Sequence, residues 1–428
     1  MWPDAAATMN TPGSPLRVAI LGINYAPEEI GIARYTTDMA IALAERGHRV
    51  EVVAGKPYYP AWNVPGEWRG GGWRHAREDG VEITRCAHYV PAVPNGLRRV
   101  LHLASFAVMA LGPMIRLARR PVAERPQVVM CIAPALLSVP VAWVAARLAG
   151  ARLWVHIQDF EVEAAFATGL VGENGRAGQL ACWVERQILR LADIASSISP
   201  QMCRKLLDKG FAPDAVLEVR NWANASSNFC PAEASPFRAE WDLGTRHVCL
   251  YSGNIANKQG IEILVEAASL LAHRDDIAFV ICGEGPNRAR LMELAEGLTN
   301  IQFQFLQPME RLGDLLSLAS VHLLPQIPGA ADLVLPSKLT NMLASGRPIV
   351  ATAEPGTGLY DEVDGCGLST PPGDAAALAR AIETLIDDPE QSARMGDIAR
   401  RRAVERWTMT GIIDKLEAAL RRQTGARA

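Results

Sequence analysis

Short apolar runs alternate with segments of helical spacing along this chain, in two separate series. The first opens with Arg17-Val-Ala-Ile-Leu-Gly22, an apolar run closed by glycine. A run this short, with no polar face, predicts a strand buried on both sides of a sheet. Residues 36–46 have helical spacing and stop at Gly47, and residues 50–54 form a second buried run. Residues 128–132, 153–157 and 194–198 continue the alternation. The second series places strands at 248–251, 279–282, 301–306, 321–324 and 349–351. Its helices fall at 261–272, 288–295 and 338–344, with Asp374 capping another that runs to about Ile386 and a last one starting near Gly411. Strand, helix, strand in that order predicts α/β architecture with mainly parallel sheets, since parallel neighbours need a crossover.

Residues 221–236, rich in Asn, Ala, Ser and Pro, separate the series and read as a linker. The expected organisation is a disordered tail at 1–16, a Rossmann-like domain at 17–222, the linker at 223–236, a second Rossmann-like domain at 237–405 and a C-terminal helix at 406–428 that crosses back to the first domain. Ligands of such sheets bind at the carboxyl ends of the strands, so an interdomain cleft is the expected site. The tail has no apolar core and is not a secretory signal, and Met9 is an alternative start.

Composition excludes more than it identifies. With 49% hydrophobic and 21% charged residues the chain is globular rather than disordered. A net charge of −3 leaves no basic footprint for nucleic acid. The charge is uneven: residues 1–225 hold 24 Lys and Arg against 20 Asp and Glu, and the remainder 19 against 26. Only the first half is disposed to meet an anionic partner, unless the asymmetry is simple drift. The eight cysteines have no CxxC or zinc spacing and several lie in apolar runs, which fits buried thiols in a reducing cytosol.

Two segments interrupt the alternation. Residues 56–80 hold three prolines, five glycines and Trp62, Trp68 and Trp73, and read as a long loop. Its aromatics suit stacking on sugar rings, or they pin a lid. Residues 100–118 are apolar but carry His102, Gly112-Pro113 and Arg116, with Arg98, Arg99, Arg119, Arg120 and Arg125 on the flanks. That is too interrupted for a spanning helix. It reads as an interfacial helix with snorkelling arginines, or as a helix packed on a sheet with a solvated basic end.

Four loops carry candidate chemistry. The first runs from Gly22 through Glu28 and Gly31 to Arg34 and enters the first helix. It is neither GxGxxG nor a P-loop. The second, Tyr251-Ser-Gly253-Asn254-Ile-Ala-Asn-Lys258, offers Lys258 to a diphosphate. The third, Gly283-Glu284-Gly285-Pro286, would alone be a turn. In the fourth, Pro336-Ser337-Lys338 opens a helix, and Lys338 sits where the helix dipole disfavours a cation unless an anion is bound. Near the first-domain strand ends lie Glu28, His156, Asp159 and Glu161. His156, on a strand, reads as a core histidine, His48 as structural, and Asp159 as the better ligand contact.

The order of these loops resembles the retaining GT-B glycosyltransferases of family 4, and more closely the WcaI-type enzymes of colanic acid and related exopolysaccharide synthesis. Gly22-Ile-Asn-Tyr-Ala-Pro-Glu28, Pro57-Tyr-Tyr-Pro60, Tyr89-Val-Pro91, Leu101-His-Leu-Ala-Ser-Phe-Ala107, His156-Ile-Gln-Asp159-Phe-Glu-Val162, Asn221-Trp222 and Leu333-Val-Leu-Pro-Ser-Lys-Leu-Thr-Asn341 carry the likeness. The resemblance implies a GT-B fold and a nucleotide-sugar donor, GDP-linked, held mainly by the second domain. Lys258 would meet the diphosphate. Gly253, Asn254, Gly283, Glu284 and Gly285 would lie near the donor. Pro336, Ser337, Lys338 and Asn341 would lie near phosphate or ribose, and Gly22, Gly31 and Arg34 on the first-domain loop. Two positions depart from the family pattern. Asn341 stands where a glutamate is usual, five residues before Gly346, and Asn254 where an arginine often precedes the phosphate lysine.

The implied reaction is metal-independent transfer of a hexose, fucose from GDP-fucose, to a polyprenyl-diphosphate-linked saccharide. The catalytic candidates are Lys258, Asp159 and Glu28. The enzyme would be cytoplasmic and peripheral on the inner membrane through residues 98–125. Another hexosyl or N-acetylhexosaminyl transferase, or a non-catalytic nucleotide-sugar-binding protein, remains an alternative.

Overall fold

The computed structural model describes residues 14–28, 31–93, 95–162, 175–222, 229–255, 259–327, 335–336 and 338–425. Residues 1–13 of the expected tail and 223–228 of the expected linker lie outside them. The chain divides into two compact units. The first comprises the chain up to Ile198, Cys203–Val219 and the residues from Ile413 on; the second comprises Ser199–Met202 and Arg220–Ile412.

The first unit is built on eight strands: β1 (Arg17–Gly22), β2 (Arg49–Gly55), β3 (Trp73–Glu78), β4 (Val81–Cys86), β5 (Val128–Ala133), β6 (Arg152–Ile157), β7 (Ile194–Ser197) and β8 (Val216–Glu218). They lie in the order β3-β4-β2-β1-β5-β6-β7-β8. Every neighbouring pair is parallel except β3–β4. Every residue of β5 is buried, as its unbroken apolar sequence demands.

The β3–β4 hairpin corrects the expected loop at 56–80, which ends at Gly72. The hairpin turns on Asp79-Gly80, with φ of 48° and 79°. Positive φ at both central residues suits the twist of a two-residue hairpin, and Asp-Gly is its usual sequence. The alternation was hidden because β3 is exposed at all but one position.

The helix Gly96–Ala118 starts at Asn95, whose side chain accepts from Arg98 N at 3.0 Å. One face buries His102, Phe106, Ala110, Met114 and Leu117. The opposite face leaves Leu97, Val100, Leu101 and Val108 in solvent. The helix is long and apolar enough to cross a membrane by length and composition, with 39% of its apolar window buried in the protein.

The last segment of the first unit comes from the far end of the chain. Glu417, in the helix Met409–Gly425, pairs with Arg46 Nη1 at 3.0 Å and His48 Nε2 at 3.3 Å. His48 Nδ1 accepts from Leu16 N at 3.1 Å, so its proton sits on Nε2, facing Glu417. Arg421 reaches the Ser14 carbonyl at 3.1 Å. His48 is thus structural.

The second unit holds β9 (His247–Ser252), β10 (Ile277–Cys282), β11 (Ile301–Gln304), β12 (Val321–Leu324), β13 (Ile349–Thr352) and β14 (Gly367–Thr370). Their order is β11-β10-β9-β12-β13-β14 and all pairs are parallel. Asp374 caps the helix Ala375–Asp387 by accepting from Ala377 N at 2.8 Å. Expected linker residues from Cys230 on pack onto this unit: Cys230 N donates to Ser317 Oγ at 2.9 Å, and Ser235 Oγ to the Asp314 carbonyl at 2.8 Å.

Candidate functional site

In the second unit the loops leaving β9 and β10 are zipped together at the carboxyl edge of the sheet. Gly253 N donates to the Cys282 carbonyl at 3.0 Å, and Ile255 N to the Glu284 carbonyl at 2.8 Å. The backbones touch so closely that side chains are excluded. A Cβ on Gly283 would sit 1.9 Å from the Gly253 oxygen, and one on Gly285, at φ 155°, 2.2 Å from the Ile255 oxygen. Loop–loop contact therefore accounts for both glycines without a ligand. Asn254 and Glu284 are exposed on this rim.

Lys338 lies beside this cradle as the first residue of the helix Lys338–Ser345. Its Nζ donates to Tyr251 Oη at 2.8 Å and stands 4.1 Å from the centre of that ring. The Tyr251 hydroxyl in turn donates to the Asn254 carbonyl at 2.6 Å. Burial holds the phenol proton on, so the partner of Lys338 is neutral. Among the described residues no carboxylate lies within 4.0 Å of this ammonium. Burial pulls its pKa from 10.5 down to about 7. A mostly buried cation beside a phenol, at a helix start and 3.2 Å from the place of a Gly253 side chain, is disposed to meet an anion.

Other second-unit candidates divide by what is described. Lys258 and Ser337 lie outside the described residues, as does Leu333. The Pro336 carbonyl accepts from Leu339 N at 2.9 Å, which fixes the helix start. Asn341 is half-buried one turn beyond Lys338.

In the first unit the loop after β1 is fastened from two sides. Glu28 is buried and accepts from Asn24 Nδ2, Tyr58 N and Tyr59 N, each at 2.9 Å. Its carboxylate joins this loop to Pro57-Tyr-Tyr-Pro60. Arg85, 1% exposed, donates to the carbonyls of Gly55, at 3.2 Å, and Ala26. Its guanidinium lies 5.1 Å from the Tyr25 ring. Sequence reading missed Arg85; its signal was a charge in register with the buried Val81 and Ile83 of Val-Glu-Ile-Thr-Arg-Cys86. Gly22 ends β1, where a Cβ would meet the Ile132 side chain at 3.2 Å, so packing accounts for it too. Gly31 begins the helix Gly31–Glu45, where a Cβ would make an ordinary 3.7 Å contact with the Tyr35 ring. Arg34, partly exposed, faces Asp38 at 3.8 Å.

Past the end of β6, Asp159 is half-buried. Glu161 accepts from Leu136 N at 2.6 Å, and burial pushes its carboxyl up to about 7. His156 is a core residue: its Nδ1 meets Ser196 Oγ at 2.9 Å, where Trp154 Nε1 also donates. Burial lowers its pKa to about 4. Among the described residues no cluster of three His, Cys, Asp or Glu side chains is disposed to hold a metal.

Known proteins match the chain along nearly its whole length. Residues 31–222 match the glycosyl transferase 4-like domain, and residues 235–402 the glycosyl transferases group 1 family. The putative colanic acid biosynthesis glycosyl transferase WcaI of Escherichia coli is 38% identical over 90% of this chain and 96% of its own. The chain belongs to the WcaI-type glycosyltransferases.

Solved structures show this WcaI-type glycosyltransferase to have the GT-B fold. Sucrose-phosphate synthase from Thermosynechococcus elongatus superposes with a TM-score of 0.71 at 19% identity, covering 96% of this chain and 100% of the other. Anabaena HepE, solved with UDP, gives 0.67 at 15% identity, covering 95% and 99%. The lipopolysaccharide glycosyltransferase WaaG gives 0.62 at 16%, covering 94% and 99%.

Proposed function

We propose that this glycosyltransferase is a retaining, metal-independent enzyme that moves fucose from GDP-fucose to a polyprenyl-diphosphate-linked saccharide in exopolysaccharide assembly. The observation that carries the donor half is Lys338, a mostly buried ammonium whose partner is the neutral Tyr251 hydroxyl. A nucleoside diphosphate supplies an anion for that ammonium, and HepE, of the same fold, was solved with UDP. Fucose and the exopolysaccharide role rest on the likeness to WcaI.

In the proposed reaction the bond from the anomeric carbon to the diphosphate breaks and its electron pair leaves with the phosphate oxygen. Lys338, Lys258 and the helix start stabilise that charge as it develops. The acceptor hydroxyl bonds to the same face of the sugar, and its proton passes to the departing phosphate. This leaves Glu28 the loop clamp that its three donors make it, and assigns Asp159 to the acceptor hydroxyls. Asn341 hydrogen-bonds the ribose without a charge.

The acceptor half rests on the helix Gly96–Ala118. Leu97 (72% exposed) and Val108 (71% exposed) head an apolar stripe flanked by Arg98, Arg99, Arg116 and Arg119. That combination suits the inner face of the cytoplasmic membrane, where a prenyl diphosphate presents both chemistries.

The test is incubation with GDP-fucose and a lipid-linked glucose acceptor, with the anomeric configuration of the product read by NMR. A fucoside that keeps the anomeric configuration of the donor supports the reading, and Lys258→Ala abolishes it with folding intact. Turnover of a UDP-sugar but not GDP-fucose overturns the fucose assignment; nucleotide-sugar binding without turnover makes the protein a binder.

A further inference from the structure

The tryptophan-rich loop has a use that the donor site does not absorb. Trp62 forms one wall of a cavity of about 340 Å³ whose lining includes Asn63, Arg69, His88, Val90 and Ala92. This is near the lower end of ligand pockets, roughly 300–1,000 Å³, and suits one sugar ring better than a nucleotide sugar. Trp62 is held there in a conformation that non-glycine residues rarely adopt, with φ 49°. Such backbone persists where its surroundings over-determine it. Tyr58 meets the indole edge-on at 5.4 Å, and His102 tilts against it at the same distance. Asn63 N donates to the Tyr58 carbonyl at 3.2 Å.

The polar lining suits hydroxyl groups. Asn63 offers an amide that both donates and accepts, and among the described residues its Oδ1 takes only a long 3.4 Å contact from Arg69 Nη2. Arg69 is itself steered by the Val64 carbonyl, 3.1 Å from its Nε. His88 contributes a neutral wall: its Nδ1 meets the Cys86 carbonyl at 3.2 Å, so that nitrogen carries the proton. An aromatic face with an amide and a guanidinium at its rim can stack a pyranose and bind its hydroxyls.

The cavity also adjoins the apolar helix. Arg99 places its guanidinium 5.5 Å from the centre of the Trp62 ring, and His102 of the same helix packs on that ring. Exposed Val93 and Leu97 lie at the start of this helix, beside Arg98. Apolar surface, arginines and an aromatic pocket thus follow one another, in the order of chain, diphosphate and sugar in a glycosylated prenyl diphosphate.

We propose that the Trp62 cavity is the subsite for the acceptor's sugar, with Trp62 stacking on the ring and Asn63 and Arg69 binding its hydroxyls. This rests on the lipid-linked acceptor proposed above. The test is calorimetric titration of the full chain with farnesyl diphosphate and with farnesyl-diphosphate-linked glucose. The native protein is expected to bind the glucosylated probe about ten-fold more tightly. Trp62→Ala should bring the two probes within about two-fold, and Trp62→Phe should keep most of the preference. Equal affinities in the native protein, or an unchanged preference in Trp62→Ala, overturn the subsite while leaving the prenyl diphosphate reading standing. A native protein that binds neither probe overturns both. Should Trp62→Ala fail to fold, Asn63→Ala and Arg69→Ala, both at exposed positions, decide by the same ratio.

Discussion

Replacing Lys338 by methionine should make the ligand-free protein more stable and unable to hold a nucleoside diphosphate. A free lysine titrates at 10.5, and this one is pulled down to about 7. At about 1.4 kcal/mol per pH unit, keeping the charge in the ligand-free fold costs at most about 4–5 kcal/mol at neutral pH. The side chain retains some solvent contact, so about 2 kcal/mol is the working figure. Methionine has a similar length and fills the space over the Tyr251 ring without a charge. For a unit of this size the gain corresponds to a melting point about 4–8 °C higher. The unfolded chain binds the lysine proton up to about pH 10.5, and the folded chain only up to about 7. The native protein therefore gains stability between those values, and its gap to the variant narrows from pH 7 to pH 10. GDP at a hundred times its Kd should stabilise the native protein by about 2.7 kcal/mol and the variant hardly at all. Differential scanning fluorimetry at pH 7 and 10, with and without GDP, reads every part of this. A variant that melts at or below the native protein at pH 7, a gap that does not narrow by pH 10, or an equal GDP shift in both refutes the anion-site reasoning.

Glu28→Ala strands two backbone amides and the Asn24 amide, and should cost about 2–4 kcal/mol in urea unfolding. Glu28→Gln keeps the acceptor oxygen and should turn over within about ten-fold of native; a loss of about a thousand-fold at native stability would make Glu28 a proton-transfer group after all. Glu161 is held up to about 7 by burial, where the unfolded carboxyl titrates near 4.5. The stability it adds is complete below about pH 4.5 and lost as pH rises through 7, so the melting point of Glu161→Gln should overtake that of the native protein between pH 5 and 8. Val108→Asp, on the exposed stripe, should reduce cosedimentation with anionic phosphatidylglycerol vesicles and leave the melting point unchanged. Undiminished cosedimentation would remove the helix from the membrane.

Buried parallel strands were the readiest part of the fold to find, because each is an unbroken apolar run that no helix of that length would need. β3, β4, β8 and β14 escaped for the opposite reason, β4 because Glu82, Thr84 and Arg85 break its apolar run. β3 is nearly all exposed, Val216-Leu-Glu218 is half-exposed, and Gly367-Leu-Ser-Thr370 has no apolar run. The hairpin had a local signature in Asp79-Gly80, overridden by the prolines and glycines before it. At the site, the lysine at a helix start was legible because a cation there opposes the dipole. Its partnership with Tyr251 was not, since 87 residues separate them in sequence. The glycines of the third loop were legible as glycines only. That a neighbouring backbone excludes a side chain there is a fact of three dimensions. Glu28 looked like chemistry in the sequence because a carboxylate in a ligand-side loop looks the same whether it meets a substrate or three amides.

The ties from Glu417 to Arg46 and His48 bear on the order in which the molecule can be completed. A ribosome releases the residues from Ile413 only after all of the second unit. The first unit must therefore wait for its closing segment, with the Arg46 and His48 side chains still open to solvent. A fragment ending at the linker would carry all eight strands of that sheet and lack the helix that finishes it. To express the first unit alone, residues 413–428 have to be supplied, either as a fused segment or as a separate peptide.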